Sequence, residues 1–199
     1  DLLMQGALLD EVERQIARVA EATKASGVIA VVGAPLRHEE RLYNTAVVMS
    51  DGWLWGVVPK TYLPNYREYY EKRWFAPAGP ELHSGNGIRV GGFCPGFGTQ
   101  MVFSVEDRPG FVFGVEICED YWAPLPPSTR QAMAGARILL NLSASNSVIG
   151  KAEERALLCA SQSARAQAAY IFSAAGFNVN VHRFDSQQVC QVAVFIGGP

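Results

Sequence analysis

Six short apolar runs constrain the fold of this chain more than any other feature of its sequence. They fall at residues 28–32, 43–49, 53–58, 111–117, 138–142 and 168–174, each dense in Val, Ile, Leu, Ala or aromatic side chains. Runs of five to seven such residues, bounded by Gly, Pro, Asp or Ser, have the length of buried strands rather than of helices. Two intervening segments follow helical periodicity instead. Leu8, Leu9, Val12, Ile16, Val19 and Ala20 recur at helical spacing, Asp10, Glu11, Glu13 and Arg14 fill the other face, and Ser26-Gly27 closes the pattern. Residues 151–167 read as the longest helix of the chain. Ser128 and Gln131 have the spacing of a capping box after Pro126-Pro127 and are expected to open a third helix. Ser50-Asp51-Gly52 is a tight turn that makes 43–49 and 53–58 a hairpin, and Pro59 ends the second strand because it cannot donate to a ladder. Strands alternating with helices, with hairpins between, predict an α/β domain.

The chain has 199 residues, 49% hydrophobic and 18% charged, enough apolar material for one compact domain. Even the segment richest in Gly and Pro, 76–110, still supplies core residues at Ile88, Val90, Met101, Val102 and Phe103, so it reads as loops and short strands. A net charge of -2 offers no surface for tracking phosphates, and nucleic acid is not an expected partner. No apolar run approaches the roughly 20 residues of a membrane span. Asp1-Leu2-Leu3-Met4-Gln5-Gly6 has no basic-then-apolar leader. The cysteines at 94, 118, 159 and 190 include no C-x-x-C pair, which argues against zinc or a redox dithiol, and no metal site is expected. The expected setting is the cytoplasm, with reduced thiols. Asn141-Leu142-Ser143 matches a glycosylation pattern but falls in a buried run, so the match reads as chance.

Cys118 directly follows the run 111–117, within Glu116-Ile117-Cys118-Glu119-Asp120. Most unpaired cysteines are small core hydrophobes. A reactive group where a strand gives way to a loop is, however, firmly held and able to face a cleft. The three acids around this thiol oppose its ionisation, so a reactive Cys118 needs a cation or a general base. None of His38, His83 and His182 stands in a Cys-His signature. Lys60 follows its own apolar run through Pro59, as Cys118 follows 111–117. Read alone it is a solvated lysine; at a shared sheet edge it can hold a thiolate and stabilise an oxyanion.

Residues 59–73, from Pro59-Lys60-Thr61-Tyr62-Leu63-Pro64 through Glu68 and Glu71 to Arg73, resemble the lysine motif of the nitrilase (carbon–nitrogen hydrolase) superfamily. Val115-Glu116-Ile117-Cys118-Glu119-Asp120 resembles its cysteine motif, and the spacing, 118 − 60 = 58, suits it. More narrowly, Val32-Gly33-Ala34-Pro35, Tyr43-Asn44-Thr45-Ala46, Cys118-Glu119-Asp120-Tyr121-Trp122 and Asn141-Leu142-Ser143-Ala144-Ser145 are similar to the glutaminase domain of glutamine-dependent NAD synthetases. The resemblance covers residues 1–176; the tail 177–199 diverges, although 192–196 still reads as a strand.

This resemblance implies an α/β fold of nitrilase type, an α-β-β-α sandwich that is incomplete here. It implies a Glu-Lys-Cys site in which Cys118 attacks the side-chain amide of L-glutamine, Lys60 stabilises the oxyanion, and Glu68 or Glu71 is a supporting acid. Tyr66 and Ser145 match positions that hold the glutamine. Lys151 stands where the family has a substrate-binding Arg, keeping the charge but losing the bidentate fork. Ammonia would pass through a tunnel to a synthetase domain that uses ATP to amidate deamido-NAD. Family enzymes form large homo-oligomers.

The family's glutamate lies just upstream of a segment resembling Asp1-Leu2-Leu3-Met4, so the chain, which has no initiating Met, is expected to be cut from a longer one. It carries no Gly-rich phosphate loop, and no ATP or NAD site is expected in it. Alone it is expected to have little glutaminase activity and to be unstable or to associate through exposed apolar surface. The competing readings are a free-standing nitrilase-family amidase, disfavoured by the detail around Cys118 and Ser145, and a non-catalytic fragment or interaction module.

Overall fold

The computed structural model describes residues 2–79, 81–82, 87–146, 148–174 and the backbone of 191–195. His83, His182 and Cys190 lie outside them. The chain divides into two compact units, residues 1–101 and 102–199. No described helix is long and apolar enough to cross a membrane.

The first unit sets one helix against a four-stranded sheet. Helix α1 (Gly6–Ser26) ends where the periodicity predicts, at Gly27, whose left-handed φ of 62° lets its N–H return to the Thr23 carbonyl at 3.1 Å. Strands β1 (Ala30–His38), β2 (Arg41–Ser50) and β3 (Trp53–Pro59) are antiparallel, and β4 (Gly96–Phe97) pairs in parallel with β3. The β2–β3 turn places Asp51 and Gly52 both at positive φ, as a two-residue hairpin of primed type requires. Ile16 and Ala20 of α1 pack on Ala34, Leu36, Tyr43, Val47, Met49, Leu54 and Val57, with Ile88 and Val90 from the Gly/Pro-rich segment. Buried Thr23 fastens the helix to the hairpin: its hydroxyl donates to the Ala20 carbonyl at 2.6 Å and accepts from the Gly52 N–H at 3.0 Å.

One boundary differs from expectation. The strand expected over 28–32 begins at Ala30 and continues through Pro35 to His38, while Val28 and Ile29 are exposed outside it. Among the described residues β1 pairs with β2 alone, and an edge strand tolerates a residue without an N–H.

The second unit is a five-stranded sheet in the order β5 (Val102–Ser104), β6 (Val112–Ile117), β7 (Ile138–Ser143), β8 (Ala169–Ala174) and β9 (Gln191–Phe195). The three middle strands are parallel, which requires crossovers, and helices α2 (Pro127–Met133) and α3 (Lys151–Ala166) supply them. The strand expected over 192–196 is β9, antiparallel to β8. Leu139, Tyr170 and Phe172 form a core with Tyr121, Ala136, Cys159 and Ala168.

Two helix expectations are corrected. Helix α3 has 16 residues against 21 in α1, so α1 is the longer; α3 stops at Gln167, which turns left-handed at φ 49°. The capping box does not form either. Helix α2 begins at Pro127 after an uncapped Pro126, and Ser128 and Gln131 are both fully buried. The buried N–H of Ser128 is met by the carboxylate of Glu116 on β6 at 2.9 Å, so the cap comes from a neighbouring strand. Gln131 instead turns its Nε2 to the Val115 carbonyl at 2.8 Å. That approach needs Gly114: a Cβ there would lie 2.3 Å from Gln131 Oε1 and 2.8 Å from its Cβ. Gly114→Ala is therefore expected to destabilise the fold by about 1–3 kcal/mol through overpacking. A fall in the urea midpoint at constant slope measures it; an unchanged midpoint refutes the close fit.

Candidate active site

Lys60 takes its place from the hairpin. Pro59 is the last residue of β3, but the ladder continues one step beyond it, with the Lys60 N–H on the Asn44 carbonyl at 2.8 Å. On its other side the Lys60 carbonyl accepts the Ala78 N–H at 3.0 Å. The side chain is 1% exposed, so it is not a solvated lysine. A buried ammonium needs a counter-charge. Glu71, which opens a 3-10 turn over Glu71–Arg73, provides it: Nζ lies 2.8 Å from each carboxylate oxygen. The structure thus brings Glu71 to Lys60. Glu68 is exposed on the preceding loop.

Cys118 takes its place from β6, a strand buried along nearly its whole length. The backbone turns at the cysteine itself, with φ 46°, in the left-handed region that side chains disfavour, and a 3-10 turn over Cys118–Trp122 follows. Asp120 holds this corner. It is 1% exposed, and its carboxylate accepts the Ile117 N–H at 2.9 Å. The half-buried thiol lies 3.4 Å from the hydroxyl of Ser143, and Asn141 directs its Nδ2 at the Cys118 carbonyl at 3.5 Å.

The remaining candidates divide between the units. Tyr66 is exposed in the loop after Lys60, its ring edge-on to Tyr69 at 6.0 Å. Ser145 is half-buried in the loop after β7. Lys151 opens α3, where its ammonium bonds the Asn146 side chain and lies 5.8 Å from the ring centroid of Trp122, the last residue of the turn that begins at Cys118. The second unit thus holds Cys118, Ser145 and Lys151, and the first holds Lys60, Tyr66, Glu68 and Glu71.

A family model described as carbon-nitrogen hydrolase matches residues 6–195. This chain belongs to the carbon-nitrogen hydrolase family. The chain is 51% identical over 176 residues to a glutamine-dependent NAD(+) synthetase of Mycobacterium tuberculosis H37Rv, a match over 88% of this chain and 26% of that protein. It spans about a quarter of the length of the curated relatives it matches. Among solved structures, a glutamine-dependent NAD+ synthetase from Acinetobacter baumannii matches with a TM-score of 0.74 at 24% identity, over 98% of this chain and 32% of that one. An amidase of the nitrilase superfamily from Nesterenkonia AN1 matches at 0.64 and 16% identity, over 87% of this chain and 56% of that one. The expected nitrilase-type α/β fold is borne out.

Sequence reasoning took Glu116 only as a charge near the thiol and passed over Arg155, and both shape the surroundings of the cysteine in this carbon-nitrogen hydrolase. Glu116, 1% exposed, accepts the Tyr170 hydroxyl and the Ser128 N–H. Burial pushes this carboxyl above its ordinary value near 4.5, against the pull of those hydrogen bonds. Arg155, one turn after Lys151, donates to the Asn146 carbonyl at 3.0 Å and lies over the Phe172 ring. Its spacing of four from Lys151 on a helix was the available signal.

Two expectations follow. Glu71→Ala leaves a buried ammonium without its partner and is expected to cost about 2 kcal/mol, less than a fully buried pair because Glu71 remains 24% exposed. Glu68→Ala, on the surface, is expected to stay within about 0.5 kcal/mol; urea unfolding that ranks the two the other way would refute the pairing. Glu116 is raised in the folded state, so its contribution is complete below the unfolded value near 4.5 and is lost as pH rises through the elevated one. Urea midpoints from pH 4 to 8 are expected to show the natural chain losing stability relative to Glu116→Gln as pH rises. Parallel curves would show that Glu116 does not titrate in this window.

Proposed function

We propose that this chain is the glutamine-hydrolysing part of an NAD-synthesising enzyme, with Cys118 as its nucleophile. The observation that carries the proposal is the placement of Cys118: a thiol at a left-handed strand end, backed by Ser143, in a chain 51% identical to a glutamine-dependent NAD(+) synthetase. In this reading the Cys118 sulfur attacks the side-chain carbonyl carbon of glutamine. A C–S bond forms, and the carbonyl electron pair moves onto oxygen. Collapse of that intermediate breaks the C–N bond and, with one proton added to nitrogen, releases ammonia and leaves a thioester. Water then attacks the thioester, giving glutamate and the free thiol. Lys60, aligned by Glu71, stabilises the oxyanion. Tyr66 and Ser145 hold the substrate, and Lys151 faces its carboxylate as a point charge rather than a fork. The resemblance assigns the general base to the glutamate of the family's Glu-Lys-Cys site. The ammonia would serve a synthetase domain that uses ATP and deamido-NAD, in a cytoplasmic homo-oligomer.

A glutamine-mimicking electrophile tests this without requiring full turnover. 6-Diazo-5-oxo-L-norleucine is expected to add to Cys118 with loss of dinitrogen, about tenfold faster than to exposed Cys94, and glutamine is expected to compete. Peptide mass spectrometry reads the sites. Equal labelling of the two cysteines, or labelling that glutamine does not slow, would overturn the proposal.

A further inference from the structure

We infer that Ser143 is a further catalytic residue, whose hydroxyl donates a hydrogen bond to the Cys118 sulfur and holds it for attack. The inference rests on Cys118 being the nucleophile. Strand register brings the two together. β6 and β7 run in parallel with Glu116 opposite Asn141 and Ile117 opposite Leu142, so the next step places Cys118 opposite Ser143. The chain leaves its strand geometry there, at φ 46°, and the ordinary ladder stops. Two side chains from one face of β7 take over. Asn141 reaches the Cys118 carbonyl at 3.5 Å, and Ser143 Oγ reaches Sγ at 3.4 Å. Ser143 is 6% exposed, so little water competes for its hydroxyl.

The chemistry follows from the donor. A hydroxyl binds a thiolate more strongly than a thiol, because hydrogen bonds to charged acceptors are the stronger ones. The bond therefore favours the ionised sulfur and fixes its direction, and it weakens once the sulfur's electron pair has gone into the C–S bond. Ser143 keeps its own proton throughout; the thiol proton goes to the general base. Ser143 thus differs from Ser145, two residues on, which the resemblance gives to the substrate.

Iodoacetamide alkylation of the 199-residue chain tests the inference, since this reagent needs no glutamine site and its outcome is independent of the diazo-ketone result. Rates at Cys118 are measured by peptide mass spectrometry at pH 7 and pH 10 in the natural chain, Ser143→Ala and Ser143→Thr. Cys94 serves as the exposed reference and buried Cys159 as the reporter of folding. The titratable and charged groups of this unit around the cysteine (Glu116, Glu119, Asp120, Tyr121, Lys151, Arg155, Cys159 and Tyr170) are the same in every variant. Ser143→Ala is expected to slow Cys118 about threefold at pH 7, because the thiolate stabilisation lost with the hydroxyl is only partly offset by the higher nucleophilicity of the freed sulfur. At pH 10 only the difference in nucleophilicity remains, so Ser143→Ala is expected to match or outpace the natural chain, and Ser143→Thr is expected to restore the pH 7 rate. A rate unchanged at pH 7, or slowed equally at both pH values, overturns the inference, since the second pattern is a change of access alone. If Ser143→Ala exposes Cys159, the isosteric pair Ser143→Thr and Ser143→Val decides: a Thr/Val ratio near threefold at pH 7 supports the hydrogen bond, and a ratio of one overturns it.

Discussion

A carboxylate enclosed by protein and served only by neutral donors is costly, and the second unit is organised around one. Glu116 sits at 1% exposure with the Tyr170 hydroxyl on one oxygen and the Ser128 N–H on the other. Each donor ties a different element to β6. Tyr170 brings β8, two strands away, and Ser128 brings the start of α2. Gln162 of α3 extends the network, donating to the hydroxyls of Ser128 and Thr129 at 3.0 and 3.1 Å. Two strands and the start of α2 thus meet on a group two residues before Cys118, and α3 joins through Ser128. The cysteine's strained corner stands directly after this network.

The first unit solves a parallel problem with opposite charge. Lys60 also leaves the end of a central strand and is also almost fully enclosed. Its counter-charge is a nearby carboxylate, held where Glu71 starts a 3-10 turn and where the Glu71 N–H meets the Pro64 carbonyl at 3.1 Å. A buried ammonium facing both oxygens of one carboxylate is held in direction by that pairing. Both units therefore place a chemically capable side chain just past a strand, where the ladder fixes the backbone and irregular structure frees the side chain.

Much of this was legible in the sequence. The α1 stop at Gly27, the primed turn at Asp51-Gly52 and the run into Cys118 follow from local chemistry that tertiary contacts did not override. The misreadings have a common cause. Ser128 and Gln131 have the spacing of a capping box, but spacing cannot show that a carboxylate from another strand already meets the Ser128 N–H. Likewise, Glu68 and Glu71 are equally good acids by proximity to Lys60. Only the path of the loop brings Glu71 back to it. The first strand was placed at the apolar run 28–32, whereas β1 continues through Pro35 to His38 with a neighbour on one side alone, which the sequence does not show. Ser143 was invisible for a related reason, since its partnership with Cys118 exists only through strand register.

The two cysteines of the second unit show how far placement governs chemistry. Cys159 lies on α3 with no exposed surface, and burial, reinforced by the charge of Glu116, pushes its thiol up to about 12. It is part of the core beside Leu139 and Tyr170, and its sulfur serves as packing. Cys118 belongs to the same unit but has left the strand for a half-buried corner with a hydroxyl directed at its sulfur. The carboxylate that helps silence Cys159 also anchors the strand that presents Cys118. What separates an inert thiol from a candidate nucleophile here is one left-handed residue at a strand end and the register that sets Ser143 opposite it.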